Sequence, residues 1–312
     1  MHAAWDWDMP RETEGEQQAL IDRVLDIGFD TLIVNNPAPS LADMATAQDV
    51  TLIDVVTARP TDAFLTDHAD CIQVLSPTDH RIHDALLADA DQYRRHAHWK
   101  YPLILSYDLV CYAHEASLEY LESRIEHALS RADGVAFDGI GFRNQYGCHC
   151  AACHARRDRN TGNAPLLEVS ASVAERQLIE TSERLYTYAN AIDNDAIVMN
   201  HVWPPFNPNP RYAHQLRLDY CSQTIAWFHR PHWELERVRF EAQRHRSLAG
   251  ETNTFVPFIG MADTDISRRS PDRLRSELEI ANEYGAGNFV FSTLAVPARH
   301  RSHANVFRNH SN

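Results

Sequence analysis

Cys148, Cys150 and Cys153 stand as C-x-C-x-x-C in a polar stretch, just downstream of an apolar run, GVAFD, that ends on the carboxylate of Asp138. Thiolates two and three residues apart on a tight loop can take three corners of a tetrahedral metal site, and zinc favours four soft ligands. Cys111, upstream in LVCYAHE, is the expected fourth, with His149 and His154 as substitutes if Cys111 lies too far away. A site closed by four thiolates has no open coordination position, so the cofactor expected is a structural zinc that fastens the loop. Cysteines clustered this tightly do not resemble a disulfide framework. Cys71 and Cys221, inside apolar runs, are expected to be ordinary buried hydrophobes.

If the cysteines hold a wall, chemistry falls to carboxylates. Asp138 closes a buried run and is expected to act as nucleophile or base, its alternative being a turn residue in Asp-Gly. Acid–base chemistry at such a site needs a second carboxylate able to act as the acid. Asp263, after FVPFIGM, is the expected acid, or else the N-cap of a short helix; Asp6 in WDWD is next, or else a hydrogen-bond partner of arginine. Asp8, Asp108 and Asp265 complete the field. Aromatic residues at such a site offer ring faces against which a ligand's C–H groups pack. Trp5, Trp7, Trp203, Trp227, Phe228 and Trp233 fall in or just after strand-like runs, where each alone is also explained as core. With Asn200, His201 and His229 they form a polar and aromatic rim expected to bind substrate. The sequence has no HExxH and no G-x-S-x-G, and the HAH at 96–98 lies before a strand where a solvated histidine pair is the ordinary explanation.

The elements that must position these groups alternate β-rich runs with amphipathic ones. Strand-like segments cover 3–7, 31–35, 51–56, 103–108, 134–138, 196–201, 223–228, 255–260 and 288–293, with CIQVL at 71–75 as a further possibility. Helical periodicity covers 16–28, 116–132, 173–192, 234–246 and 271–285. Continuous apolar strands alternating with helices imply a parallel sheet covered by helices. Neither GxGxxG nor a Walker motif follows a strand, and polar or aromatic residues end nearly every strand, which favours an α/β (β/α)8 TIM barrel with a zinc-stapled loop after Asp138. Eight strands are needed, so one or two segments between 50 and 110 must be excursions. Residues 1–295 are read as one barrel domain, and 296–312, which lose apolar periodicity, as a C-terminal surface extension.

A formal charge of −14 argues against nucleic-acid and anionic-membrane partners. The absence of a long apolar span and of a signal-like start leads to a cytoplasmic expectation. The oligomeric state is open, a homo-oligomer included.

Across roughly residues 109–157 the order of features resembles the family 42 glycoside hydrolases, the zinc-containing β-galactosidases. That family carries a cysteine at the head of a helix, then a strand, then N-E-Y-G, then C-x-C-x-x-C. Here Cys111 precedes HEASLEYLESRIEHAL, GVAFD follows, and Asn144, Gln145, Tyr146 and Gly147 lead into Cys148, Cys150 and Cys153. The stretch is also similar to uncharacterised glycosidase-like barrels with an aspartate-glycine strand end before such a loop. The resemblance implies a TIM barrel, a structural zinc, and a carbohydrate or oligosaccharide partner, with Asn144 and Gln145 near the substrate. Its general acid/base is a glutamate where this chain has Gln145, and an amide can neither donate nor accept the proton. At the seventh strand the family presents a nucleophilic glutamate, whereas FVPFIGMADTD offers Asp263 and Asp265. Two functions follow as expectations: a glycoside hydrolase-like enzyme working through other barrel-mouth carboxylates, or a catalytically inactive carbohydrate-binding barrel. A metal-dependent hydrolase of another class is a third.

Overall fold

Eight short apolar runs pair in chain order into a closed parallel barrel: β1 (His2–Trp5), β2 (Thr31–Val34), β3 (Thr51–Val56), β4 (Gly134–Asp138), β5 (Ile197–Val202), β6 (Tyr220–Ala226), β7 (Thr254–Gly260) and β8 (Phe289–Ser292). These come from a computed structural model that describes residues 1–77, 80–81, 108–138, 140–143, 147–158, 166–202, 212–228 and 232–310. Both faces of the strands are buried, which is why they read as continuous apolar runs rather than as alternating ones. One set of side chains, including Ala3, Trp5, Ile33, Ile53, Val55, Ala136, Met199, Val256, Phe258 and Val290, fills the barrel interior. The other set packs outward against the helices.

The helices, numbered as described, are α1 (Glu14–Ile27), α2 (Pro39–Ala47), α3 (Asp62–Asp67), α4 (Glu115–Leu129), α5 (Ala151–Asp158), α6 (Leu166–Ile192), α7 (Leu235–Leu248), α8 (Pro271–Gly285), α9 (Ala295–Arg299) and α10 (Arg301–Arg308). Local chemistry sets their ends. Thr13 and Glu16 close a reciprocal capping box on α1, whose other end stops at Gly28 with φ of 97°, a left-handed conformation that costs glycine little. Ser270 accepts from the backbone N–H of Arg273 at the start of α8, with proline in its first turn.

Strand β3 pairs directly with β4, Val56 lying beside Phe137, so no barrel strand comes between them. The excess strand-like segments are therefore the excursion expected from the sequence. CIQVL forms no barrel strand: Ala69–Cys71 is a 3₁₀ turn, and Ile72 makes an isolated antiparallel bridge to Val110. The segment 103–108 lies, except for Asp108, outside the described residues.

The C-terminal residues differ from the surface extension expected of them. They form α9 and α10, and Ala304, Val306 and Phe307 are buried, with the Phe307 ring 5.0 Å from Phe29 and 4.8 Å from Phe291. A short apolar face embedded among arginine, histidine and asparagine is enough to dock two turns of helix, although it is too brief to register as periodicity. Among the described residues no helix is long and apolar enough to cross a membrane.

Candidate functional site

Residues two apart on a strand share a face. Ala136 and Met199 line the barrel interior, so Asp138 and His201, two residues further on and paired in register, point into the C-terminal mouth. The His201 ring stacks on Phe258 at 3.7 Å with an interplanar angle of 13°, and meets the edge of Trp5 at 5.6 Å. Its Nε2 lies 3.0 Å from Thr224 Oγ1 and its Nδ1 lies 4.0 Å from Asp138 Oδ1. Burial pushes His201 down to about 3, so the imidazole is neutral at physiological pH and the contact with Asp138 is not an ion pair. In the tautomer with its proton on Nδ1, Thr224 donates to Nε2 and the Nδ1–H faces the carboxylate. Asp138 keeps a side-chain exposure of 13 %, enough for its carboxylate to meet a ligand.

The aromatic rim is divided by depth. Trp5 is fully buried and forms part of the floor, whereas Trp7 is 41 % exposed, with its ring 5.2 Å from Trp5 and its Nε1 donating to Ser292 Oγ at 2.8 Å. Trp7 is thus the described tryptophan with an exposed ring. Phe228 packs on Phe258 at 5.6 Å and lies so close over Gly260 that a Cβ there would overlap its ring.

Other expected site residues have different positions. Asn200 is buried and accepts from the Ile140 backbone N–H at 3.0 Å, holding the chain just beyond Asp138 rather than facing substrate. Trp227 is buried in the outer core beside the helices, its carbonyl accepting from Arg269 at 3.1 Å, and is not a platform. Trp233 belongs to the same core, with the Arg237 guanidinium 3.9 Å from its ring centroid. Asn144, Gln145, Trp203 and His229 lie outside the described residues.

The two carboxylates expected to partner Asp138 are otherwise engaged. Asp6 is fully buried, accepting from the Met9 N–H at 3.1 Å and from Thr293 Oγ1 at 3.3 Å, with Arg11 at 3.7 Å. Burial raises its pKa against the lowering effect of the Met9 and Asp8 N–H groups and of Arg11. Its hydrogen bonds come from Met9 and Thr293, and Arg11 stands beyond hydrogen-bond distance. Asp263 is gripped by Arg268 at 2.7 Å, Arg299 at 3.2 Å and His300 at 2.7 Å. Burial pulls its pKa up, but hydrogen bonds from His300, Arg268 and Arg299 outweigh that and leave it below the ordinary carboxylate value. A carboxyl held ionised by three bases has no proton to give, which removes Asp263 from the acid role. Asp108 pairs with Arg143 at 2.8 Å.

The cysteines converge. The sulfurs of Cys111, Cys148, Cys150 and Cys153 are all buried and within 4.8 Å of one another, and Cys111 Sγ lies 3.7 Å from Cys150 and 3.5 Å from Cys153. Zinc–sulfur bonds of about 2.3 Å in a tetrahedron place sulfurs about 3.8 Å apart, so the donor set fits a four-thiolate ion. Backbone N–H groups of Val74 and Cys150 point at Cys148 Sγ, each at 3.3 Å, and that of Cys153 at Cys150 Sγ at 3.5 Å, an arrangement suited to stabilising thiolates. His149 and His154 are not needed, because Cys111 reaches the fourth corner.

This cluster is tied to the mouth through Gln73. Its Nε2 donates to the carbonyls of Val110 and Gly141, both at 3.1 Å, and its Oε1 accepts from the Arg143 N–H at 2.8 Å. The excursion, the Cys111 segment and residues 140–143 after Asp138 are thereby one wall.

Several solved structures superpose on this chain. An α-L-fucosidase isoenzyme 2 from Paenibacillus thiaminolyticus superposes with a TM-score of 0.61 at 11% identity, covering 99% of this chain and 48% of its own. A β-galactosidase from the Antarctic haloarchaeon Halorubrum lacusprofundi gives 0.66 at 11% identity, with coverage of 94% and 52%. One from Rahnella sp. R3 gives 0.65 at 10%, with coverage of 99% and 56%. The shared fold is the (β/α)8 barrel. The chain spans about half the length of these proteins. No family model and no curated protein matches the sequence.

Within this barrel, Thr224, Phe258 and Gln73 are the residues that sequence reasoning missed. Strand parity could have found the first two, since Thr224 and Phe258 share the inward face with Ser222 and Val256. Nothing in the sequence signals that Gln73 joins three segments.

Proposed function

We propose that this barrel binds a carbohydrate at its C-terminal mouth and hydrolyses a glycosidic bond, with Asp138 as the reactive carboxylate acting as nucleophile or base. The observation that carries this is the Asp138 carboxylate, part-exposed at the end of β4, beside a neutral His201 that is locked between Phe258 and Thr224. An anionic oxygen above an apolar floor suits a sugar whose anomeric carbon gains positive charge in the transition state. Trp7 supplies a ring face at the rim. The four cysteines hold a structural zinc whose chemistry is to fasten the wall beside Asp138; the proton transfers belong to side chains.

A second reading is favoured by a specific observation. Asp6 is buried and Asp263 is held ionised, so neither expected partner is available as acid, and Gln145 cannot replace the glutamate of family 42. In this reading the mouth binds sugar without cleaving it. A panel of nitrophenyl glycosides separates the two. Release of nitrophenol by the wild type, with KM raised about tenfold in Trp7→Ala, supports hydrolysis at this mouth; sugar binding by calorimetry with no release from any glycoside supports the binding barrel.

A further inference from the structure

Cys71 is buried, as its apolar surroundings suggest, but it has polar neighbours. It ends the 3₁₀ turn Ala69–Cys71, and its sulfur lies 3.6 Å from Asp70 Oδ1. Ligand-capable atoms of Asp70, Cys71 and His114 all lie within 4.8 Å of one another. On its other side, His114 Nε2 is 3.6 Å from the sulfur of Cys150, one of the four clustered cysteines. Oxygen, sulfur and imidazole nitrogen from three side chains, with a second sulfur close by, form a donor set that suits zinc.

We propose that Asp70, Cys71 and His114 hold a second divalent metal ion, with the Cys150 thiolate shared between this ion and the one in the four-cysteine site. The shared ligand rests on the four-thiolate reading given above. A tetrahedral ion with a sulfur at about 2.3 Å and an oxygen or nitrogen at about 2.0 to 2.1 Å sets those ligands about 3.6 Å apart. Both separations, Cys71 to Asp70 and Cys150 to His114, are 3.6 Å. The two sites differ in access. The four thiols are all buried, whereas Asp70 is exposed and His114 half-buried, so the second ion is the one open to exchange with solvent. Its structural consequence follows from the backbone around it: the Cys71 carbonyl accepts from the Cys111 N–H at 2.6 Å and from Ser117 Oγ at 3.2 Å. A metal here clamps the excursion after α3 to the head of α4, two residues before Gln73 ties that excursion to the wall beside Asp138.

The test is metal stoichiometry on the full chain, stripped under reducing conditions and titrated with Co²⁺, then with Zn²⁺. Two ions per wild-type chain are expected, the second adding thiolate-to-cobalt absorption. Cys71→Ala, His114→Ala and the exposed Asp70→Ala, which leaves the core untouched, are expected to lose or weaken by at least tenfold the second ion while keeping the first. Saturation of the wild type at one ion, or two ions retained in all three variants, overturns the proposal and leaves the four-cysteine site standing. No bound ion in the wild type overturns both.

Discussion

His214 and His245 form a buried pair whose proton balance sets how this barrel responds to acid. Their rings meet at 3.2 Å between Nε2 and Nδ1, against Phe255, and both are buried. Burial first, and then Arg244, pushes His214 from 6.5 to about 4. Burial, then His214 and Arg244, pushes His245 from 6.5 to about 3. Below pH 6.5 the unfolded chain takes up a proton on each ring that the folded chain refuses, so stability falls as pH falls toward those lower values. Going from 6.5 to pH 5 is about 1.5 units, worth about 2 kcal/mol per histidine, or about 4 kcal/mol for the pair. His201, lowered to about 3, adds a similar loss, but one common to both proteins compared. The assay is urea unfolding of wild type and of the double variant His214→Leu, His245→Phe at pH 7.5 and pH 5. The variant is expected to lose about 4 kcal/mol less than wild type over that interval, whatever its stability at pH 7.5. Equal losses in the two proteins would refute the reasoning.

Three further outcomes are expected. Cys111→Ser, which removes the distant corner of the four-thiolate set, is expected to release the tightly held ion and lower Tm by about 8 °C or more, read by metal analysis and calorimetry. Asn200→Ala removes the acceptor of the Ile140 N–H, and should cost about 1 kcal/mol in urea unfolding with a larger fractional loss in kcat than in KM for any glycoside turned over. Asp263→Asn, which weakens the pairing of Asp263 with Arg268 and with Arg299 and His300 at the α9–α10 junction, is expected to cost about 1 kcal/mol and to leave turnover within a few-fold of wild type, whereas an acid role predicts a loss of about 10²-fold or more.

The barrel was legible in the sequence because all eight strands are buried on both faces and so stand out as apolar runs between amphipathic helices. The cysteine cluster was legible because three of its four members are adjacent in sequence; the fourth, Cys111, was readable from its place at the head of α4. Asp138 and His201 were each singled out, but their juxtaposition depends on the β4–β5 register, which no local signal encodes. Trp5 and Trp7 look equivalent in WDWD, yet the strand ends at Trp5, so one fills the interior and the other reaches the rim. The position of Asp263 after β7 looks catalytic from the sequence, whereas its partners Arg299 and His300 come from the distant C-terminal segment and give no local signal. Those helices were themselves hidden by a buried face too short to show as periodicity.

The most direct test of the mouth as a catalytic site is kcat/KM of Asp138→Asn against wild type on the best nitrophenyl glycoside, with folding checked by circular dichroism. Substituting an uncharged isostere keeps the contacts to His201 while removing the negative charge. A fall of about 10²- to 10⁴-fold with sugar binding retained is expected; a variant that turns over at the wild-type rate would contradict the assignment of the chemistry to Asp138.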